Sequence, residues 1–394
     1  MTDRLLIERI EARILDIPTI RPHKLAFGAI SRQSPVIVQL WLRNGATGFG
    51  EAATIGGPSW NEESPESIHH AITAHLAPAL LGQDGAHFGA ALARMDLACR
   101  GNAFAKSAVE MAVIDAVARS LHLPAWQLLG GKRHASLPLA WTLASGDVSR
   151  DLEEAQLRLE QKRHRIFKIK IGARTPEQDV AHVARIARGL AGRATLTVDV
   201  NQAWDGSTAR RHLPALIDAG VTLIEQPVAR WNVEALKTLT AELGGRASLM
   251  ADESVCTPQD AMSLARVQAA QVFSLKVAKH GGLLRTRDVA AVAEAADIAW
   301  YGGTMLETSI GSAASAHVFS TLGPLHHGCE LFGPQLLVDD LVTERMAIRD
   351  FELQLPDGPG FGLTVELAQL NRFDRARSGL KAVHVDLGQR ATLA

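Results

Sequence analysis

Residues 167–171 read Phe-Lys-Ile-Lys-Ile, a short apolar segment that carries two charged residues. Apolar segments of this kind recur along the chain and alternate with stretches that have helical periodicity. The eight segments are residues 137–143, 167–171, 196–201, 223–226, 249–253, 272–276, 299–304 and 329–332. Charged residues in five of them are spaced 24 to 29 residues apart, which is the length that one strand, one helix and two short loops require. Eight such units predict a closed α/β barrel of parallel strands.

The sequence before the barrel has a different pattern. Val36–Leu42 is typical of a strand, and the Asn44-Gly45 dipeptide after it is a strong signal for a hairpin. Helical stretches follow at 67–81 and 103–121. We therefore predict an α+β domain at 1–130, the barrel at 131–340 and a C-terminal segment, 341–394, that returns to the first domain. A doubly wound open sheet is the alternative to a barrel, but the chain has no Gly-x-Gly-x-x-Gly turn.

Composition and charge exclude several classes of function. The chain has 394 residues, of which 47% are hydrophobic and 21% are charged, and its net charge is −1. Such a neutral balance does not favour nucleic-acid binding. No apolar stretch approaches the 18 residues or so of a membrane span, and three widely separated cysteines fit a reducing compartment. The sequence predicts a cytoplasmic protein with neither a nucleic-acid nor a membrane partner.

Three acids follow consecutive barrel segments, at the strand ends where barrel enzymes carry their chemistry. Asp199, Glu225 and Asp252 can therefore converge on one point. Charged groups at the ends of buried strands are costly unless they are paired or bind a metal. Three carboxylates without His or Cys suit Mg²⁺ or Mn²⁺. The alternative is that these acids are exposed in the loops.

Lysines form the second part of the predicted site. Lys168 and Lys170 are two residues apart, so a strand projects both to the same side. Near each other and near a cation, we expect them to lower each other's pKa, which suits a lysine that exchanges a proton with carbon. Lys276 comes from a strand across the barrel mouth and can face the other side of a substrate. The alternative is that the lysine stems cover apolar surface while the ammonium groups reach solvent.

Two further acids are candidates for supporting roles in the site. Glu307 follows Gly302-Gly303, where the backbone can approach closely, so we expect its carboxylate to lean into the pocket. The alternative is that Glu307 is an acid of the loop. Glu253 points to the other side of its strand from Asp252, and we expect it to support Lys276 rather than to bind a metal.

These residues together resemble the enolase superfamily and, within it, the muconate lactonizing (muconate cycloisomerase) group. The resemblance covers nearly the whole chain. The motifs that carry it are Arg21-Pro-His-Lys-Leu25, Glu51-Ala-Ala-Thr-Ile-Gly-Gly57, Lys168-Ile-Lys170, Val198-Asp-Val-Asn201, Glu225-Gln-Pro227, Ala251-Asp-Glu-Ser254, Leu275-Lys-Val-Ala-Lys279, Tyr301-Gly-Gly-Thr-Met-Leu-Glu307 and Glu330-Leu-Phe-Gly-Pro334.

The resemblance implies an N-terminal α+β capping domain closed over a modified TIM barrel, (β/α)7β. It also implies a role for each candidate residue. The metal ligands are Asp199, Glu225 and Asp252; the active-site lysines are Lys170 and Lys276, with Lys168 lowering the pKa of Lys170; Glu307 lies near the enolate; and Ile55, Trp60, Asn201, His23 and Lys24 contact the substrate. Similar proteins are commonly homo-octamers that favour Mn²⁺ over Mg²⁺.

The activity that the resemblance implies is the reversible conversion of cis,cis-muconate, a small dicarboxylate from aromatic degradation, to muconolactone through an enediolate. Lys170 would protonate the α-carbon. A chloromuconate cycloisomerase is one alternative, because Trp60 resembles those enzymes, although Ile55 and Lys279 do not. A dipeptide epimerase, with Lys170 and Lys276 as a two-sided acid–base pair, is another. A Schiff-base aldolase and a non-catalytic ligand-binding barrel represent other classes.

Overall fold

The structure is a computed structural model and describes residues 2–26 and 28–378. Its first part is an α+β domain, as predicted. A three-stranded antiparallel sheet has the order β1-β4-β5, and β2 and β3 form a separate hairpin. The strands are β1 (Ile7–Ile14), β2 (Ile17–Leu25), β3 (Gly28–Gln33), β4 (Val36–Leu42) and β5 (Thr47–Ala52). The predicted Asn-Gly hairpin is confirmed, because β4 and β5 pair antiparallel across that turn.

Helices cover one face of this domain. They are α1 (Pro65–Ala71), which continues through a π-helical turn (Ile72–Leu76) into α2 (Ala77–Leu80), then α3 (Phe88–Ala98), α4 (Ala103–Ser120) and α5 (Ala125–Leu128). Helix α4 is buried along almost its whole length and packs on β5 at two glycines. A β-carbon on Gly48 or Gly50 would overlap the backbone of α4 at Ala112 or Ala108, so only glycine permits this close contact.

Seven parallel strands form the barrel sheet, in the order β13-β12-β11-β10-β9-β8-β7. After β6 (Ser136–Pro138), they are β7 (Ala140–Leu143), β8 (Ile166–Lys170), β9 (Thr195–Asp199), β10 (Val221–Glu225), β11 (Ser248–Ala251), β12 (Val272–Leu275) and β13 (Ala299–Gly302). The helices between and after them are α6 (Val148–Glu160), α7 (Pro176–Leu190), α8 (Gly206–Asp218), α9 (Val233–Leu243), α10 (Pro258–Arg266), α11 (Val277–His280), α12 (Leu283–Ala295) and α13 (Ser309–Phe319).

The eighth predicted strand is present only as a closing bridge. Cys329 makes parallel bridges to Leu139 on one side and to Gly302 on the other, so it joins the first and last strands. Immediately beyond it the chain turns, and the N–H of Phe332 bonds to the carbonyl of Glu330. The predicted (β/α)7β barrel is thus confirmed, with a shorter eighth segment than the sequence indicates.

The C-terminal segment contacts both parts of the chain. After α14 (Gly333–Leu336), the strands β14 (Ile348–Arg349) and β15 (Glu352–Gln354) form a small sheet with β6 at the start of the barrel. Then α15 (Leu367–Phe373) and α16 (Arg375–Ser378) lie near β1, and Arg375 pairs with Asp16 at 2.8 Å. The boundaries at 130 and 340 stay a prediction, and residues 379–394 of the third segment lie outside the described residues. None of the described helices combines the length and apolarity needed to cross a lipid bilayer.

Candidate active site

The register of three neighbouring strands places the predicted site residues side by side. Lys170 is paired with Asp199 across β8 and β9, and Asp199 is paired with Glu225 across β9 and β10. Asp252 directly follows β11, and Lys276 directly follows β12. All five residues therefore lie at the carboxyl ends of the barrel strands, as the sequence predicts.

A small pocket opens among these side chains, with a volume of about 20 Å³, close to the room that one water molecule needs. Eight of the thirteen predicted site residues line it. From the barrel come Lys170, Asp199, Asn201, Glu225 and Lys276, and from the capping domain come His23, Ile55 and Trp60. The two parts of the chain therefore build the pocket together.

Lysine–carboxylate pairs occupy the floor of the barrel mouth. Lys168 is 1% exposed and contacts both Glu225 and, at 2.6 Å from its Nζ, Glu330. Lys170 Nζ lies 2.6 Å from an Asp199 oxygen and 3.3 Å from the Asn201 side-chain oxygen.

Asp252 has two lysine partners. Lys276 donates to one of its carboxylate oxygens at 2.6 Å, and Lys279 donates to the other at 2.7 Å. Lys279 also bonds to the Asp252 carbonyl. Both oxygens of this fully buried carboxylate are thus held by ammonium groups.

The environment of Lys168 corrects one expectation. Burial alone would lower the pKa of its ammonium group, but the adjacent Glu225 and Glu330 carboxylates raise that pKa well above its ordinary value. The expectation that Lys168 has a lowered pKa is wrong in this structure, because two carboxylates outweigh the neighbouring lysine. Lys168 is a fixed positive charge at the base of the pocket.

The three predicted ligand acids affect one another. Burial, followed by the negative charge of Asp199, raises the pKa of the Glu225 carboxyl well above its usual range. Burial opposes ionisation of Asp252 too, but Lys276 and Lys279 lower its pKa well below the ordinary value. Asp199 and Asp252 also repel each other. The charges of Asp199 and Asp252 thus add to the effect of burial on Glu225, and the three acids place negative charge close together.

The negative charge of these three neighbouring acids determines whether the site suits a divalent cation. Among the described residues, no three His, Cys, Asp or Glu side chains already stand together as a finished metal site, because the lysines hold the carboxylates. The oxygen-only donor set nevertheless matches Mg²⁺ or Mn²⁺, and a doubly positive ion would offset the neighbouring negative charge that, after burial, raises the pKa of Glu225. Asp199, Glu225 and Asp252 therefore fit such an ion.

Residues of the capping domain form the outer wall. Trp60 places its ring 4.6 Å from Lys276 Nζ and packs edge-on against Phe104. His23 is 1% exposed, lines the pocket, and its Nδ1 has no hydrogen-bond partner. Lys24 is exposed and lies in a different groove, because adjacent residues of a strand face opposite sides. The structure brings His23 to the pocket but not Lys24.

Glu307 and Glu253 lie near the pocket without lining it. The Glu307 carboxylate bends back to its own turn and accepts bonds from Thr304 Oγ1 at 2.5 Å and from the N–H of Met305 at 2.9 Å. One oxygen of Glu253 lies 3.5 Å from the Asn201 amide, and the other has no hydrogen-bond partner. Burial, together with the charge of Asp252, raises the pKa of Glu253 to about 7.

Sequence reasoning missed Glu330 as a site residue. It lines the pocket and bonds to Lys168 and to Thr142 Oγ1 at 2.9 Å. The signal was present, because Glu330 is a charged residue within the eighth apolar segment, just as Asp199 and Glu225 are within theirs. Leu306 and Phe332 also line the pocket and carry no comparable signal, since apolar residues are found throughout the chain.

Comparison with known proteins agrees with this architecture. The family described as "Mandelate racemase / muconate lactonizing enzyme, N-terminal domain" matches residues 9–130, and the family described as "Enolase C-terminal domain-like" matches residues 150–369. Muconate cycloisomerase 1 of Pseudomonas putida is 50% identical to this chain over 94% of its length and 99% of that protein. A chloromuconate cycloisomerase of Delftia acidovorans is 45% identical over 94% of this chain and 99% of that protein.

Solved structures give the same answer. The muconate lactonizing enzyme from Pseudomonas fluorescens complexed with muconolactone superposes with a TM-score of 0.92 at 48% identity, covering 94% of this chain and 100% of that one. The muconate lactonizing enzyme from Pseudomonas putida has a TM-score of 0.90 at 49% identity, with the same coverage. The chain belongs to the muconate lactonizing enzyme (muconate cycloisomerase) family of the enolase superfamily.

Proposed function

We propose that this protein is a muconate cycloisomerase, which interconverts cis,cis-muconate and muconolactone. The observation that carries the proposal is the position of Lys170. Its ammonium group reaches the wall of the pocket, its side chain is 12% exposed, and it contacts Asp199 and Asn201. Lys168 and Lys279 are more deeply buried and lie outside the pocket wall. Lys170 is thus available to a bound substrate as an acid.

The reaction needs one proton and a place for negative charge. One carboxylate of muconate adds to the conjugated double bond, so a carbon–oxygen bond forms and an electron pair moves toward the other carboxylate. Lys170 then donates its proton to the α-carbon, which gives the lactone and leaves a neutral amine. The reverse reaction returns that proton to Lys170.

The remaining residues bind the substrate and stabilise its negative charge. Lys168 supplies positive charge beneath the pocket and Lys276 supplies it at the pocket wall. The tautomer of His23 that carries a hydrogen on Nδ1 would donate to an anionic oxygen. Members of this enzyme family depend on a divalent metal. We assign its binding to Asp199, Glu225 and Asp252, and a bound divalent ion stabilises the negative charge that develops on a carboxylate.

The pocket must enlarge when substrate binds. Its present volume suits a water molecule rather than a six-carbon dicarboxylate. The pairs Lys170–Asp199 and Lys276–Asp252 close it from two sides. If Asp199 and Asp252 held a divalent cation, both ammonium groups would be free to turn toward a dianionic substrate.

Three finer points rest on family resemblance. We propose Mn²⁺ as the preferred metal, a homo-octamer as the assembly and the cytoplasm as the location. The preference of Mn²⁺ over Mg²⁺ is tested by activity after chelation and metal return, and the octamer by the mass of the purified protein in solution.

The decisive test is replacement of Lys170. We expect Lys170→Met to lower turnover of muconate by about 10²- to 10⁴-fold, the usual contribution of a general acid, while metal binding is kept. Lys237→Met, at an exposed lysine of α9, is the matched control and should have wild-type activity. Turnover in Lys170→Met equal to that of the control would contradict the proposal.

The epimerase alternative predicts a different result. That chemistry removes a proton on one face of a dipeptide and returns one on the other, so it needs both Lys170 and Lys276. Exchange of the α-proton of a dipeptide with D₂O by the wild-type protein, in the absence of muconate turnover, would favour it.

A further inference from the structure

A turn after β13 forms part of the pocket wall and is held by the capping domain. We call residues 303–308 the pocket turn. Thr304 and Leu306 line the pocket, and a β-carbon on Gly303 would overlap the side chain of Lys276. The turn therefore touches both the substrate space and one of the two active-site lysines.

Leu306 has an unfavourable backbone conformation. Its φ angle is +62°, in the left-handed region that residues with a side chain rarely adopt. It is 2% exposed. A strained residue of this kind persists only where surrounding contacts hold it, so its neighbours should include groups that fix the turn.

Two side chains of the capping domain supply such contacts. Gln33, at the end of β3, donates from its amide to the carbonyls of Met305 at 2.6 Å and Leu306 at 3.3 Å. Glu51, in β5, accepts the N–H of Thr308 at 2.8 Å and the Thr308 hydroxyl at 2.6 Å. Gln33 and Glu51 are both buried.

Glu51 also fixes the helix that follows. It accepts the N–H of Gly311 at 2.8 Å, in the first turn of α13, where backbone N–H groups lack partners within the helix. Thr308 is the N-cap of this helix. The capping domain thus holds the pocket turn at Met305 and Leu306 and again at Thr308.

The turn has an internal brace as well. One oxygen of Glu307, Oε2, accepts both the hydroxyl of Thr304 and the N–H of Met305, and the same hydroxyl accepts the N–H of Leu306. Gly311 and Gly333 leave no room beside Glu307, because a β-carbon on either would overlap it. The carboxylate of Glu307 is therefore used within the turn.

We propose that Gln33, Glu51 and Glu307 are positioning residues that hold Leu306 in its left-handed conformation, and that Leu306 determines which substrates fit the pocket. The capping domain then acts on specificity at a distance, through the barrel turn, in addition to covering the substrate directly. The choice of substrate rests on the proposed muconate chemistry, whereas the role of the brace does not.

Leu306 itself is tested with two variants. Leu306→Ala enlarges the pocket, and we expect kcat/KM for a methyl-substituted muconate, relative to muconate, to rise by about tenfold or more. Leu306→Gly should have a melting temperature at least as high as that of Leu306→Ala, because glycine adopts a positive φ without strain. An unchanged substrate ratio, or a clearly lower melting temperature for the glycine variant, would overturn the assignment of Leu306.

Glu307 is tested by conservative rescue. Because only one oxygen accepts both bonds, the amide oxygen of Glu307→Gln can replace it, whereas Glu307→Ala cannot. We expect the glutamine variant to keep the KM of the wild type and the alanine variant to raise it several-fold. A loss of kcat of about 10²-fold or more in Glu307→Gln would show instead that its charge acts in the chemistry.

Glu51 has a natural control in Glu110. Both are buried glutamates of the capping domain that accept backbone N–H groups at the start of a barrel helix, and Glu110 does so at Leu283 and Leu284. We expect Glu51→Gln to speed amide hydrogen exchange at residues 303–312 and to raise KM. Because one oxygen of Glu110 accepts both of its N–H groups, the control is Glu110→Ala, which should speed exchange near residues 282–285 with KM unchanged.

Hydrogen exchange separates the two proposals. If the wild-type protein does not convert muconate, the proposed function fails, while faster exchange confined to the pocket turn in Glu51→Gln and Gln33→Leu would still support the brace. If muconate is converted but exchange at the turn does not change in either variant, the brace fails and the proposed function stands.

Discussion

Lys168 and Glu330 should be energetically coupled, and the size of the coupling follows from their geometry. Their 2.6 Å contact joins two groups that are 1% and 4% exposed. At an effective dielectric constant near 20, unit charges at that distance attract by about 6 kcal/mol. Desolvation offsets much of this attraction, so the net coupling should be closer to that of one buried charged hydrogen bond, about 1.5–3 kcal/mol.

Two single variants and their combination measure it. Lys168→Met leaves both Glu225 and Glu330 without their shared cation, and should lower the free energy of unfolding by about 3–5 kcal/mol. Glu330→Gln leaves Lys168 paired with Glu225, and should cost about 1–2 kcal/mol. In the double variant no charge remains at position 330 to be left unpaired. Its loss should therefore be smaller than the sum of the single losses, by about 2 kcal/mol.

The three free energies of unfolding are measured by urea titration with a chelator present. The fluorescence of the seven tryptophans reports the transition. The chelator keeps a bound metal from masking the comparison. Single losses that add within about 0.5 kcal/mol, as they do for independent sites, would refute the coupling and with it the view that Glu330 helps to fix Lys168. Glu344→Gln, at an exposed acid, should leave the unfolding free energy within about 0.5 kcal/mol of the wild type.

Three other predictions concern the metal, acid stability and domain packing. Chelation should abolish muconate turnover and lower the melting temperature, because a ligand that binds the folded state stabilises it. Addition of Mn²⁺ or Mg²⁺ should restore both. Full activity in excess chelator would contradict the assigned ligands. Burial lowers the pKa of His317 from 6.5 to about 4. Between these pH values the unfolded chain binds a proton that the folded protein excludes. The free energy of unfolding should therefore fall by up to about 1.4 kcal/mol for each unit by which the pH is lowered. His317→Gln should flatten this fall in a urea titration at several pH values, and an equal slope in both proteins would count against it. Gly50→Ala drives a methyl group into the backbone of α4 and should lower the free energy of unfolding by at least about 3 kcal/mol. Gly45→Ala, where φ is +86° and the space around the residue is open, should lower it by about 1–2 kcal/mol. Similar melting temperatures for the two variants would show that α4 can move away from β5.

The barrel and the charged residues at its mouth can be predicted from the sequence, because both depend on local patterns. A strand shows itself as a short apolar segment, and the charge at its end is readable without knowing what lies beside it. Lys170, Asp199 and Glu225 are then brought together by parallel pairing alone. The same rule, applied to the eighth segment, would have found Glu330.

The pocket turn could not be predicted in this way. Its conformation depends on Gln33 and Glu51, which are 272 and 257 positions away from their partners Met305 and Thr308. No local pattern indicates that Leu306 adopts a positive φ, a conformation in which glycine or asparagine is expected. Glu307 was predicted to reach the pocket because a glutamate after two glycines looks free to do so, and the structure uses its carboxylate in two bonds within the turn.

The charges of the site explain why the metal and the substrate should bind together. Four lysines, Lys168, Lys170, Lys276 and Lys279, face the five acids Asp199, Glu225, Asp252, Glu253 and Glu330, so the buried group has one excess negative charge when all nine are ionised. A dianionic muconate entering alone would add two more in a region of low dielectric, which is strongly unfavourable. A divalent cation entering with it cancels that addition. Each ligand therefore lowers the electrostatic cost of the other, and the reciprocity of linkage requires that muconate tighten metal binding by the same factor as the metal tightens muconate binding.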